Sequence, residues 1–374
     1  MTAELVSLDP DSDNRPEVSR AAKALADGAL VAFPTETVYG LAANAAVSDS
    51  VRRLREIKGR GDSQPFTVHV SRATDCDEFV PDVGLLGRRF MRKAWPGPLT
   101  LIFAVENPTA APAFARLSDI GADAVYANGT AGVRFPDHPV AVSLISGAGA
   151  PIIASSANVA GADAPYTAEQ IQRVIGEKAD MILDGGATRY RKGSTIVAVN
   201  GTGYRLIRSG VWDERTIRRL ATVGILFVCT GNTCRSPIAE GLCKKLLAER
   251  LGCAVEDLPA RGVVVQSAGA LGYSGGRGAR EAVEVCRTRG IDISNHRQQG
   301  LAAELIHRSD YIYAMASQHI DAVRSISPGD AAKAKLLDPA GDIGDPIGGT
   351  IDDYEAVAKR ITSALQKRLS EVSI

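Results

Sequence analysis

The chain predicts an α/β protein of two domains: a twisted mixed-sheet α/β domain over residues 1–220 and a doubly wound parallel-sheet domain over residues 221–374. Three observations carry this expectation. A length of 374 residues exceeds one average domain and suits two. From Val223 onward, short apolar runs alternate regularly with helix-length stretches, the pattern of a parallel sheet with crossover helices. Before that point the alternation is looser, and a short helical stretch ending near Arg218–Thr222 separates the two regimes.

In the first domain, Pro16 to Asp27 places apolar residues at helical spacing and stops at Gly28, a favoured residue just past a helix end. Residues 29–33 (ALVAF) read as a buried strand followed by the turn PTETVYGL at 34–41. Ser48 is expected to cap a helix with Val51, Leu54 and Ile57 on one face. Further strands are expected over 66–70, 99–105, 151–154, 181–183 and 195–199, and residues 107–130 read as a loose insertion. In the second domain, strand 223–228 leads to a helix over 237–250, and strand 262–267 runs into Ser-Ala-Gly. A helix over 277–289 stops at Gly290. Strands 310–316 and 334–337 and a last helix from Asp352 complete it. No internal repeat relates the halves.

Composition excludes several classes. Basic and acidic residues balance at 43 each, so no net field draws the whole protein to nucleic acid or membrane. No apolar run reaches membrane-spanning length and the polar start is not a signal peptide, which makes the cytoplasm the default and a membrane partner unexpected. The six cysteines show neither metal-ligand nor disulfide-framework spacing, so a reducing compartment and no metal site are expected.

The sharpest chemical signal is ILFVCTGNTCRSP at 225–237. A strand runs into a loop in which five residues separate Cys229 from Arg235, and the amides of Thr230, Gly231, Asn232, Thr233 and Cys234 can turn inward as an anion nest. Ser236 is expected to cap the following helix and Pro237 to occupy its first turn, so the positive helix end faces the same anion. A thiol held there becomes a thiolate nucleophile for phosphorus, and Arg235 can grip two oxygens of a phosphate. The leaving group then needs a proton. Asp338 and Asp345, each followed by proline, compete for that role.

Together CTGNTCRSPIAE, SAG at 267–269, DISNHRQQGL at 292–301 and DPIGGTIDDY at 345–354 resemble the low-molecular-weight tyrosine phosphatases across 223–374. The resemblance implies Cys229 as nucleophile, Arg235 as phosphate clamp and Asp345 as acid. It implies Ser236 beside the thiolate, and Asn232, Ser267 and His296 as loop supports. Cys234 either forms a protective disulfide with Cys229 or is a small loop residue. Thr233, and Ile347-Gly348-Gly349 where aromatics are usual, are similar to the protein-arginine phosphatase branch, so phosphoarginine in proteins is expected ahead of phosphotyrosine.

The first half offers weaker signals: Lys58-Gly-Arg60 after a helix, SSAN at 155–158 after an apolar strand, and Ser194-Thr195 opening another. Together with FPTETVYGL, FTVHV, WPGPLTLI, VRFPDHP, ASSANVAG and GSTIV, they resemble the YrdC family over about 20–210. That resemblance implies synthesis of L-threonylcarbamoyl-AMP from L-threonine, bicarbonate and ATP for the t6A modification of tRNA, with tRNA or t6A-transfer proteins as further partners. It places Lys58, Arg60, Ser156, Asn158, Ser194 and Arg208 on ATP, with Mg²⁺ on its phosphates, and Thr35, Tyr39, His69 and Arg134 on threonine and carbamate. Gly61, Gln64 and Ala198 depart from the family's usual residues, which keeps open a second reading: a phosphatase with an N-terminal nucleotide- or RNA-binding regulatory domain.

Overall fold

The structure is a computed structural model that describes residues 2–9, 14–59, 64–159, 161–201 and 203–372. It divides into two compact units, Met1–Ala221 and Thr222–Ile374.

The first unit is built on a ten-stranded sheet. Its strands are β1 Glu4–Ser7, β2 Val31–Phe33, β3 Gly40–Asn44, β4 Thr67–His69, β5 Leu99–Ala104, β6 Thr130–Arg134, β7 Ile152–Ser156, β8 Met181–Asp184, β9 Thr195–Asn200 and β10 Gly203–Arg208. They run in the order β1-β8-β2-β3-β7-β4-β6-β5-β9-β10. Parallel pairs (β1 with β8, β4 with β6, β5 with β9) alternate with antiparallel ones (β2 with β3, β3 with β7, β5 with β6), which makes the sheet mixed. Helices cover both faces, one cluster around Val18, Leu25 and Leu144 and a larger one around Leu54, Phe90 and Val125. The second unit has β11 Val223–Cys229, β12 Val263–Gly269, β13 Tyr311–Ala314 and β14 Ala334–Leu336, all parallel in the order β12-β11-β13-β14. All seven residues of β11 are buried, as a central strand covered on both faces requires. The strand order reverses at β11, so its carboxyl end opens at the crevice where such sheets bind ligands.

Four expectations are corrected. Residues 107–130 are not a loose insertion. They contain the helix Asp119–Tyr126, which buries Ala124, Val125 and Tyr126. Its start is legible once seen: the Ser118 hydroxyl accepts from the Gly121 amide at 3.1 Å. Ser48 does not cap; it lies inside the helix Ser48–Lys58, and Val47 occupies the cap position. The helix after the Cys loop begins at Arg235 with Cys234 at its cap, so Ser236 and Pro237 are already helical. The Ser236 hydroxyl is thereby freed to serve the thiol. Finally, the stretch expected to be turn through Leu41 becomes strand at Gly40, because GLAAN is wholly buried despite lacking β-branched residues.

Candidate functional site

In the first unit, strand register gathers the residues. His69 and Arg134 end the parallel strands β4 and β6 side by side. Pairing of Leu99 with Thr195 brings Thr100 near Ser194, whose hydroxyls lie 2.9 Å apart. Gly40 pairs with Ser156 across β3 and β7, adding Tyr39 and Ser156. Around these runs a cavity of about 150 Å³ whose walls include Thr35, Tyr39, His69, Arg134, Ser156, Ser194 and Arg208.

Its electrostatics favour an anion. Arg134 is buried; its Nη2 donates to Glu36 Oε1 at 2.9 Å and to Thr37 Oγ1 at 2.8 Å, while its Nε meets no partner among the described residues. Arg208 donates to the Ser194 carbonyl at 2.8 Å. Burial, and then the nearby Arg134 charge, lower the pKa of Arg208, so two guanidiniums share one small space. Among the described residues the walls themselves carry no carboxylate; Glu36 neutralises Arg134 from behind the wall, and the Arg208 charge is left facing the cavity. His69 is buried, and burial together with Arg134 depresses its pKa to about 3. It is therefore a neutral imidazole. Its Nδ1 lies 3.1 Å from the Thr67 carbonyl, which can only accept, so Nδ1 carries the proton and Nε2 keeps a lone pair.

Other residues expected here are engaged in holding the walls. The Thr35 hydroxyl donates to the Val38 carbonyl at 2.6 Å within its own turn. Tyr39 Oη donates to Gly186 O at 2.8 Å and accepts from the Gly185 amide, and burial raises its pKa, so it presents a ring rather than an acid. Lys58 Nζ donates to Ser156 O, Asn158 O and Asn158 Oδ1, bracing the Ser156–Asn158 turn. Arg60 and Gly61 lie outside the described residues. Glu36 and Thr37, which orient Arg134, were not singled out from the sequence, although they stand inside the PTET motif.

In the second unit, Cys229 closes β11, and its Sγ accepts from the Asn232 amide at 3.2 Å and lies 2.9 Å from Ser236 Oγ. That hydroxyl also receives Asn232 Nδ2 at 3.0 Å, so its own proton is directed to the sulfur. Asn232 is the keystone. Its φ of +56° suits Asn better than most residues. Its side chain further donates to Ser267 Oγ at 2.8 Å and accepts from the Gln299 amide at 2.9 Å. The carbonyls of Gly231 and Asn232 point outward to Gln298 Nε2 at 2.6 Å and His296 Nε2 at 2.9 Å. Ser267 in turn donates to Glu240 at 2.6 Å. Outward carbonyls leave inward amides, the concavity an oxyanion fills.

Arg235 is 3% exposed; Nη1 donates to Ile343 O and Nη2 to Thr230 Oγ1, while Nε has no partner among the described residues. Its Nη2 also pairs with the Asp345 carboxylate. Asp338 is elsewhere committed: Arg360 Nε at 2.7 Å and the Ala340 amide hold it, and these donors lower its pKa. Of the two candidates, only Asp345 stands at the loop. Cys234 and Cys229 are both free thiols, and Cys234 Sγ lies 3.1 Å from Tyr354 Oη. Thr233 is half-buried, its hydroxyl 3.4 Å from Cys234 Sγ.

Of the residues not singled out from sequence, Glu240, Gln298, Gln299 and Tyr354 stand inside the quoted motifs, whereas His319 comes from a separate element. So do Leu271 and Tyr273, 58% and 62% exposed on the loop that runs beside the phosphate loop through Leu271 N to Thr230 O. A cavity of about 700 Å³ between Pro237, Lys244 and Ile291 lies behind His296 and Gln299 rather than at the sulfur.

Residues 23–210 match the Sua5/YciO/YrdC family, described as telomere recombination, and residues 224–373 match the low molecular weight phosphotyrosine protein phosphatases. The threonylcarbamoyl-AMP synthase of Bacillus subtilis is 33% identical over 233 residues, which cover 62% of this chain and 64% of that protein, so the chain spans under two thirds of that relative's length. The solved structure of Pyrococcus abyssi Sua5 complexed with L-threonine aligns with a TM-score of 0.51 at 23% identity, covering 72% of this chain and 92% of that one. A YwlE mutant from Bacillus subtilis aligns at 33% identity over 40% of this chain and 98% of its own, with a TM-score of 0.36.

Proposed function

The chain belongs to the Sua5/YciO/YrdC family through residues 23–210 and continues over residues 224–373 as a low molecular weight phosphatase domain, and from this we propose a bifunctional enzyme. The first unit makes L-threonylcarbamoyl-AMP from L-threonine, bicarbonate and ATP. The observation that carries this is the carboxylate-free cavity with Arg134, Arg208 and neutral His69 on its walls. At about 150 Å³ it is smaller than the roughly 300–1,000 Å³ of common ligand sites, and it suits an amino acid rather than a whole nucleotide. Arg134 holds the threonine carboxylate and the carbamate that forms when the amine adds to carbon dioxide, and Arg208 faces the phosphates of ATP. The His69 Nε2 lone pair accepts from the amine. The carbamate oxygen then attacks the α-phosphorus and pyrophosphate leaves, so catalysis rests on positioning and charge neutralisation. With hydroxyls but no carboxylate on the walls, Mg²⁺ would be carried by the phosphate oxygens of ATP and would help neutralise them. Pyrophosphate release that requires both threonine and bicarbonate tests this. Release at the threonine-free background would leave a nucleotide- or RNA-binding regulatory domain.

The second unit is a cysteine-dependent protein phosphatase. Cys229 attacks phosphorus and Arg235 takes two oxygens of the phosphoryl group, its unpartnered Nε among the donors. Asp345 exchanges Arg235 for the leaving group, takes up the proton that Cys229 gives up as it becomes a thiolate, passes it to the leaving oxygen as the P–O bond breaks, and then draws a proton from the water that hydrolyses the thiophosphate. Cys229→Ser should abolish turnover and keep phosphate binding.

We further infer that phosphoarginine is preferred over phosphotyrosine. The half-buried Thr233 hydroxyl gives a guanidino group a polar neighbour, and Ile347-Gly348-Gly349 supplies no aromatic pair to sandwich a phenyl ring. Tyr273 offers a ring on one loop only. Replacing Thr233 by Ile should lower phosphoarginine turnover and raise relative phosphotyrosine turnover on matched peptides. Equal efficiency of the parent on both, with no swing on substitution, would overturn the preference.

A further inference from the structure

We propose that His319 is a positioning residue of the phosphatase site that acts through Thr230 on the Arg235 clamp. The inference deepens the phosphatase reading and rests on it.

His319 sits in the first turn of the helix Ser317–Ile326, which follows β13, the neighbour of β11 in the sheet. Parallel neighbours end together, so the turn after β13 stands beside the phosphate loop after β11. The imidazole is 1% exposed, with Nε2 3.0 Å from Thr230 Oγ1 and Nδ1 buried without a partner among the described residues. A polar ring is not placed in such a setting for packing alone, since an apolar one would avoid the unpaired nitrogen. The same Thr230 oxygen accepts Arg235 Nη2 at 3.1 Å. Arg235 can only donate and the hydroxyl can do both, so a neutral imidazole nitrogen completes a directed chain from Arg235 through Thr230 to His319.

Other charges around the ring keep it neutral. Burial and the facing Arg235 lower its pKa to about 4, against the opposing pull of Asp345 and Asp342. Arg235 has a second anchor in the Ile343 carbonyl at 3.0 Å, but among the described residues its Nη2 otherwise meets Asp345, which must leave it to serve the leaving group. When Asp345 turns to the leaving group, Thr230 is the contact that keeps Nη2 aimed into the nest. His319 fixes the rotamer of that hydroxyl.

The test compares His319→Leu, His319→Asn, Thr230→Val and the Leu–Val double variant. Binding is read first in a Cys229→Ser background, from the dissociation constant of inorganic phosphate, which needs no turnover. His319→Leu and Thr230→Val should each weaken phosphate binding about tenfold, the double variant no more than either alone, and His319→Asn should restore it to within about threefold, since its amide can bond the hydroxyl without ionising. In the Cys229 parent, the same variants should lower kcat/KM in the same ratio. Losses that add in the double variant, no rescue by Asn, or phosphate binding within twofold of the parent would overturn the proposal. Failure of the phosphatase reading is distinct: the unsubstituted chain would then bind phosphate but hydrolyse no phosphorylated substrate.

Discussion

Asp338 and Asp345 both precede proline, yet the guanidinium each one meets gives it a different role. Arg360 locks Asp338 against the body of the domain, whereas Arg235 holds Asp345 at the mouth of the nest, from which it can depart. Asp345→Asn should therefore cut turnover by roughly 10²-fold or more for a poor leaving group and far less for p-nitrophenol. Asp338→Asn should lower the melting temperature and leave that dependence flat. Rates measured over a series of leaving groups decide it, and the reverse pattern would exchange the assignments. Glu36 makes a second case. Its pair with Arg134 is 3% and 7% exposed, so Glu36→Gln strands a buried charge and should destabilise the first unit by about 3–5 kcal/mol in denaturant titration. The nucleophile and clamp were legible because one short loop joins them, with five residues between. Glu36, His319 and Gln298 were not, since each acts on a partner that only the fold brings near.

The helix Asp119–Tyr126 shows at the scale of elements how a signal is overlooked. Its run of small residues suggests a loop, and the helix is pinned from outside instead: the Ser118 amide and hydroxyl both donate to the Ala45 carbonyl, at 3.1 and 3.0 Å. A Cβ on Gly121 would stand 1.8 Å from that oxygen, so only glycine lets the helix approach. Gly121→Ala should cost the first unit about 3 kcal/mol by overpacking, and Ser118→Ala about 1 kcal/mol through the lost cap. Denaturant midpoints check both; an unchanged midpoint for Gly121→Ala would mean the Ala45 contact yields freely. The same reasoning explains β3, where small apolar residues at GLAAN make a buried strand without the branched side chains that announce one.

Each unit of the whole molecule buries its own core, one closing with Ala221 and the other opening with Val223. Arg208→Ala should accordingly abolish threonylcarbamoyl-AMP formation and leave phosphatase rates unchanged; a large fall in both, in a folded variant, would argue for coupled sites. Acid sensitivity belongs to this scale too. His69 titrates near 3 when folded against an ordinary 6.5, so the unfolded chain binds more protons between those values. Its neutral form supports stability fully above about pH 6.5, and that support is lost as pH falls toward 3. His69→Gln should thus show a smaller loss of melting temperature from pH 7 to pH 5 than the parent, and an equal loss would place the sensitivity elsewhere. The sequence by itself determined the two-domain α/β plan, the parallel order of the second half and the Cys229–Arg235 loop, because periodicity and short-range spacing are local properties of a chain. Only the tertiary structure decided that Arg360 locks Asp338 away from the nest, that Lys58 braces a turn, and that Arg134 and Arg208 share one cavity. Those outcomes depend on strand register and burial, which join residues that the sequence holds far apart.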